Sequence, residues 1–183
     1  MNYELPNSLT VCGVEYSIRS DYRVALDIFV ALADPELSGQ EKAEVALTIL
    51  YQDYDTMPVT HRQEALEKCV WFLNCGDGPQ DRRAPKLMDW EQDFPYIVAP
   101  INRVVGREIR SIKHFHWWSF ISAYYEIGDC LFAQIIRIRD KLVRGKPLDK
   151  QDRDWYQKNR RLVDLRAAYT KEDDALLGVW LGR

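Results

Sequence analysis

The stretch Asp21-Tyr22-Arg23-Val24-Ala25-Leu26-Asp27-Ile28-Phe29-Val30-Ala31-Leu32-Ala33 decides the fold class, because here the apolar period changes from two to about 3.6. Tyr22, Ala25, Leu26, Phe29, Val30 and Ala33 follow the i, i+3, i+4, i+7 spacing of a helix that buries one face. Asp34-Pro35 ends it, since proline disfavours helical backbone in the residue before it. Upstream, Leu9-Thr10-Val11-Cys12-Gly13-Val14-Glu15-Tyr16-Ser17-Ile18 places β-branched and aromatic residues on both sides of a glycine. That pattern predicts a short β-hairpin turning near Gly13. Two strands alone are marginal, so the hairpin must lean on helices or join a neighbour's sheet edge.

Downstream the helical period recurs. Ser38 with Glu41 forms a capping box for a second helix carrying Ala43, Ala46, Leu47 and Leu50. Thr60 with Gln63 repeats that signature for a third helix, with Leu66, Val70, Trp71 and Leu73 inward and a close near Gly76. Residues 76–88, with two glycines, two prolines and five charges, suit neither helix nor buried strand and read as a linker. Phe94, Ile97, Val98, Ile101, Val104 and Val105 form another face. Pro95 suits a first turn, whereas Pro100 predicts a kink or break near Ala99. Trp117 to Ile127 is apolar almost all round, which predicts a central buried helix. Asp129 leads a helix with Leu131, Phe132, Ile135, Ile136, Ile138 and Leu142, stopped by Gly145 and Pro147. Asp149 and Asp152 open a last long helix with Trp155, Tyr156, Asn159, Leu162 and Val163 inward. The expected architecture is mainly α, a multi-helix domain with a small N-terminal β-hairpin. It divides into 1–75, the linker 76–88 and 89–183, the two helical parts being separate or one compact domain.

Composition narrows the function classes. A hydrophobic share of 46%, with 6 Trp, 10 Tyr and 6 Phe, belongs to a folded chain, because disordered chains lack the apolar surface to offset their entropy. No apolar run reaches the roughly 18 residues that span a bilayer, and the first residues lack a basic-then-apolar leader pattern. The expectation is a soluble protein of the cytoplasm in which it is made. Cys12, Cys69, Cys75 and Cys130 lack the paired spacing of a zinc site and read as small buried apolar residues, with no disulfide expected. Residues 1–93 carry 8 Lys+Arg against 17 Asp+Glu, a net of −9; residues 94–183 carry 17 against 11, a net of +6. This asymmetry either pairs off inside one fold or favours head-to-tail self-association.

Motifs that carry catalysis are not found. There is no Gly-x-Ser-x-Gly elbow, and Asp140 stands where the first glycine of a phosphate-cradling loop ending at Gly145-Lys146 would be. Neither catalytic residues nor a cofactor is expected. In His114-Phe115-His116-Trp117-Trp118, two histidines two apart diverge by about 200° on a helix. No third ligand lies nearby, so no metal is expected. The string reads as a helix entrance whose tryptophans pack in the core while a histidine bonds a neighbouring backbone or carboxylate group. Residues 103–166 hold 15 Lys+Arg against 8 Asp+Glu. The acids are interleaved at spacings that favour pairs such as Asp149 with Arg153 and Asp154 with Lys158, a salt-bridged surface rather than a nucleic-acid-binding one.

Several strings resemble the bacteriophage gene-product-15 family. They are Asp89-Trp90-Glu91-Gln92-Asp93, Ala99-Pro100-Ile101-Asn102-Arg103-Val104-Val105-Gly106, His116-Trp117-Trp118-Ser119-Phe120 and Glu126-Ile127-Gly128-Asp129-Cys130. Ile138-Arg139-Asp140-Lys141, Gly145-Lys146-Pro147-Leu148-Asp149-Lys150, Tyr156-Gln157-Lys158-Asn159 and Val163-Asp164 continue the likeness. Their ordered succession covers roughly residues 86–166, with a weaker match at Leu5-Pro6 and Gly13-Val14-Glu15-Tyr16. The linker at 76–88 and the residues from Tyr169 fall outside it. The resemblance implies a protein of siphophages and prophages of Gram-positive bacteria, encoded near the tape-measure gene. It implies a tail-assembly chaperone that binds the tape-measure protein, with other tail-assembly proteins as further partners. A structural subunit of the virion tail or head-tail joint, and a nucleic-acid-binding phage regulator, stay open as alternatives. The residues expected to bind protein are the aromatic entrance His116, Trp117 and Trp118 and the apolar tail Leu176, Leu177, Val179 and Trp180, each set against ordinary core packing.

Overall fold

The computed structural model describes residues 4–77 and 85–166. Over them the chain is mainly helical, with one two-stranded antiparallel sheet at the front. It packs as two compact units. Residues 4–77 and 112–121 form the first, residues 85–111 and 122–166 the second.

In the first unit, β1 (Ser8–Val11) and β2 (Val14–Ser17) pair in the register Val11↔Val14 to Ser8↔Ser17. Cys12 (φ 49°) and Gly13 (φ 77°) make the two-residue turn, both in the left-handed region that matches the twist of a hairpin. Leu9, Val11 and Tyr16 are buried. The hairpin leans on helix, as two strands must: the Cys12 N–H donates to Glu64 Oε2 at 3.0 Å, and Tyr16 Oη lies 2.8 Å from His61 Nδ1. Cys69 is buried as expected. Cys12 is exposed instead, because the turn holds its thiol outside against Glu64.

Helix α1 (Tyr22–Ala33) starts on Asp21, whose carboxylate accepts from the Arg23 N–H. Its fully buried residues are Tyr22, Ala25 and Ile28, while Val30 is exposed. The stripe is rotated from the expected face because α1 packs on the next helix as well as on aromatic residues of 112–121. Helix α2 (Gly39–Leu50) has the full Ser38–Glu41 capping box and buries Ala46, Leu47 and Leu50. Helix α3 (Arg62–Leu73) departs from the Thr60–Gln63 capping expectation. A 3-10 turn at Val59–His61 precedes it, so the N-cap is His61 in helical backbone with no side-chain cap. A capping side chain needs extended backbone at that position. Its inward residues are Ala65, Leu66, Cys69, Phe72 and Leu73. At about 100° per residue these lie within an arc of about 120°, opposite Trp71.

Helix α4 (Trp90–Val105), in the second unit, is capped by Asp89 and runs unbroken through Pro95 and Pro100. The expected break at Ala99 does not occur. Burial of Ile97, Val98, Pro100 and Ile101 outweighs the missing N–H groups, and Gly106 (φ 77°) ends the helix. Helix α5 (Trp117–Tyr125) contains the division between units, after Ile121. It is not buried all round: Trp117, Phe120 and Ala123 are buried, but Tyr125 is 72% exposed. Ser119 and Ser122 share the outer side with Tyr125 at a spacing of three.

Helix α6 (Leu131–Val143) buries Phe132, Ile135, Ile138 and Arg139 and leaves Leu131 and Leu142 exposed. The expected last long helix is two: α7 (Lys150–Lys158) and the single turn α8 (Arg160–Val163). The Asn159 side-chain amide donates to Trp155 O at 2.8 Å, competing with continued helix at that point. Asp152 of α7 faces α6 rather than its own helix. Arg137 and Lys141 pair with Asp152, and Arg153 donates to Leu148 O.

Arg139 (3% exposed) and Asp93 (0%) meet in a two-pronged ion pair in this unit. Arg139 also donates to Leu87 O, Leu162 O and Val163 O, so one guanidinium joins α4, α6, α8 and the segment before Asp89. Among the described residues no helix is long and apolar enough to cross a membrane.

Candidate protein-binding surface

Segment 112–118 docks in the first unit through Asp21. Asp21 accepts from the Phe115 N–H at 2.8 Å and pairs with Arg23, which in turn donates to Ile112 O. Tyr22 N–H donates to Phe115 O, and Trp117 N–H to Ser20 O. The chain enters α5 from there with each ring placed.

His116 is buried. Its Nδ1 accepts from the Trp118 N–H at 3.0 Å, which leaves Nε2 to carry the proton donated to Pro6 O at 3.0 Å. Burial holds its pKa below the usual imidazole value, and the Pro6 bond opposes that only in part. The neutral Nε2–H tautomer is the form these bonds require.

Trp117 is 1% exposed; it stacks on buried Phe120, with centroids 5.6 Å apart, and meets half-buried Phe29 at a tilt, 5.7 Å away. Trp118 is half-buried. Their two indole N–H groups finish the same helix: Trp117 Nε1 donates to Leu73 O at 2.9 Å, and Trp118 Nε1 to Phe72 O at 2.8 Å. Cys75 N–H returns to Phe72 O and Gly76 N–H to Trp71 O, with Cys75 at φ 56° and Gly76 at φ 88°. With Asn74 N–H on Val70 O, every terminal carbonyl of α3 has a donor.

This capping brings out a surface not foreseen from the sequence. Trp71, expected inward, is 37% exposed on the outer side of α3. Its ring meets that of Trp118 edge-on, with centroids 5.3 Å apart. Gly76 lies beneath both: a Cβ there would sit 3.3 Å from Trp118 and 3.5 Å from Trp71. Two partly exposed indoles, one tied to backbone by its N–H and both closed over a glycine, form a rigid apolar surface at one end of α3. The outward placement of Trp71 was legible in one respect: Cys69 and Phe72 complete a tighter apolar stripe that excludes it. Of the expected binding residues, His116, Trp117 and Trp118 come together here, the first two as buried support. Leu176, Leu177, Val179 and Trp180 lie outside the described residues, as do residues 78–84 of the linker.

An open cleft of about 490 Å³ in the same unit is lined by Asn7, Ser17, Ile18, Arg19, Ser20, Asp21, Gln52 and His114. Its polar groups are committed to structure. Ser20 Oγ donates to Asn7 Oδ1 at 2.6 Å, leaving its lone pair to face His114 Nε2 at 3.1 Å. Arg19 Nη1 caps α2 through Thr48 O, Ile49 O and Tyr51 O. Among the described residues no group of three His, Cys, Asp or Glu side chains is placed to hold a metal ion.

The family model for the bacteriophage Gp15 protein matches residues 1–165. The chain belongs to the bacteriophage Gp15 protein family. No curated protein and no solved structure gives a match. The Gp15 match takes in the hairpin, α1 to α3 and residues 76–88 as well as the C-terminal half where the resemblance was strongest. Both tryptophans of the exposed pair thus fall within the Gp15 span, and residues 166–183 lie beyond it.

Proposed function

We propose that this phage protein is a tail-assembly chaperone that holds the tape-measure protein by apolar contact, catalysing no reaction, in the host cytoplasm before the tail forms. The observation that carries the reading is the Trp71–Trp118 surface. Its rings are oriented by the Trp118–Phe72 hydrogen bond and by packing against Gly76, so little conformational freedom is lost when a client docks. Tryptophan is the residue type that most often dominates protein-protein binding energy. A tape-measure protein, long and helical, offers apolar anchors at i, i+3, i+4 and i+7 that such a surface receives. In the second unit Asp152, Asp149 and Asp140 compensate Arg137, Lys141 and Arg144, which supports a protein client over a nucleic acid.

The test is co-purification from infected cells. The chaperone reading expects the protein to bring down tape-measure fragments and to be absent from purified virions. Retention in the particle would instead favour a structural subunit of the tail or head-tail joint. Capture of DNA or RNA with a steep salt dependence would favour a regulator.

A further inference from the structure

The outer stripe of α3 continues from Trp71 into acid. Glu67, exposed, lies one helical turn before it, and Glu64 lies two turns before. Asp77, also exposed, follows Gly76 directly. The Cys12 thiol and N–H both donate to Glu64, which holds its carboxyl below the usual range and keeps it charged. Half-buried Lys68 is the cation that shares this part of α3, so Glu64, Glu67 and Asp77 leave a net of −2 beside the indoles. The whole first unit has the same sign. Its described residues carry 13 Asp+Glu against 6 Lys+Arg, a net of −7.

We propose that the Trp71–Trp118 surface takes a basic amphipathic helix, with its apolar anchors on the two indoles and its Lys and Arg side chains toward Glu67, Asp77 and Glu64. This rests on the client-binding reading and specifies the client segment by chemistry. Apolar burial on the tryptophans supplies affinity, while the acidic border selects the sign of the flanking charge and speeds encounter. An acidic helix with the same anchors meets like charge and is rejected.

The probes are two synthetic amphipathic peptides of equal length and identical apolar anchors, one flanked by Lys and Arg and the other by Glu. Each is titrated into the full chain by fluorescence anisotropy, with circular dichroism to confirm that every variant is folded. The basic peptide is expected to bind on the order of ten times more tightly at low salt. That gap closes as salt rises from about 50 to about 500 mM, because screening shortens the reach of exposed charge. Glu67→Lys should weaken the basic peptide about two- to five-fold, and Trp71→Ala should weaken both peptides. Equal affinity for the two peptides, with Trp71→Ala still harmful, overturns the charge preference and leaves client binding intact. Basic-peptide binding indifferent to both substitutions places the contact elsewhere and overturns the proposal. Failure of both peptides and of tape-measure fragments to bind overturns the client-binding reading with it.

Discussion

Replacing Arg139 with methionine removes the most connected side chain of the second unit. Asp93 would stay fully buried, keeping only the bond from the Asp89 N–H, and Leu87 O, Leu162 O and Val163 O would each lose their guanidinium donor. Breaking a buried pair by deleting one partner typically costs about 3–5 kcal/mol, because the remaining charge is neither solvated nor compensated. For a chain of this size each kcal/mol lowers the melting temperature by about 2–4 °C, so the expected fall is roughly 6–20 °C. The double variant Arg139→Met with Asp93→Leu no longer buries a lone carboxylate. It should be more stable than the single variant, although the three carbonyls still lack their donor. Thermal and urea unfolding followed by circular dichroism measures both, and the cycle isolates the pair's coupling. An Arg139→Met protein within about 1 kcal/mol of wild type, or strictly additive effects in the double variant, would mean that water reaches this pair, and the reasoning fails.

Three further outcomes follow from the same structure. His116 is held neutral in the fold, whereas the unfolded chain takes up its proton near pH 6.5. Its contribution is therefore fully present above about pH 6.5 and is lost as pH falls from there toward the depressed folded value; unfolding free energy should drop as pH is lowered below about 6.5, with a shallower slope in His116→Gln. Cys75→Gly should raise stability by about 0.5–1 kcal/mol, read as a higher urea midpoint, since Cys75 holds a left-handed backbone at the end of α3 that glycine adopts freely. Pro95→Ala should also stabilise, by about 1–2 kcal/mol, because exposed Pro95 denies α4 an interior hydrogen bond; a lower midpoint would show that the proline ring is needed where it stands.

Local signals in the sequence specify the elements they lie in. The hairpin turn at Cys12-Gly13, the limits of α1 and the Ser38–Glu41 box each depend on residues within a few positions of one another. Features that depend on what covers a helix are not encoded locally. The buried stripe of α1 shifted to Ile28 because a second element packs on it, and Pro100 survived inside α4 because its face is buried. Nothing in apolar periodicity foretells that Arg139 would be enclosed, since burial of a charge is decided by a partner 46 positions away in the chain. Part of the candidate surface was legible: the unusual run of His116, Trp117 and Trp118 supplies one of its two indoles and the buried support beneath it. Its exposed half is marked more faintly, because Trp71 is as apolar as the inward residues of α3 and only the tighter stripe through Cys69 and Phe72 sets it apart. The apolar tail from Leu176 to Trp180 lies outside the described residues and adds nothing to that comparison.

The most direct test of the central claim is the affinity of the full chain for tape-measure fragments, compared between wild type and Trp71→Ala, with the unfolding midpoint taken on the same samples. Loss of one partly exposed indole should weaken capture by about ten-fold or more, in the range of an interface anchor, while the protein stays fully folded at the assay temperature. Undiminished capture by a folded Trp71→Ala protein would contradict the claim that this surface grips the client.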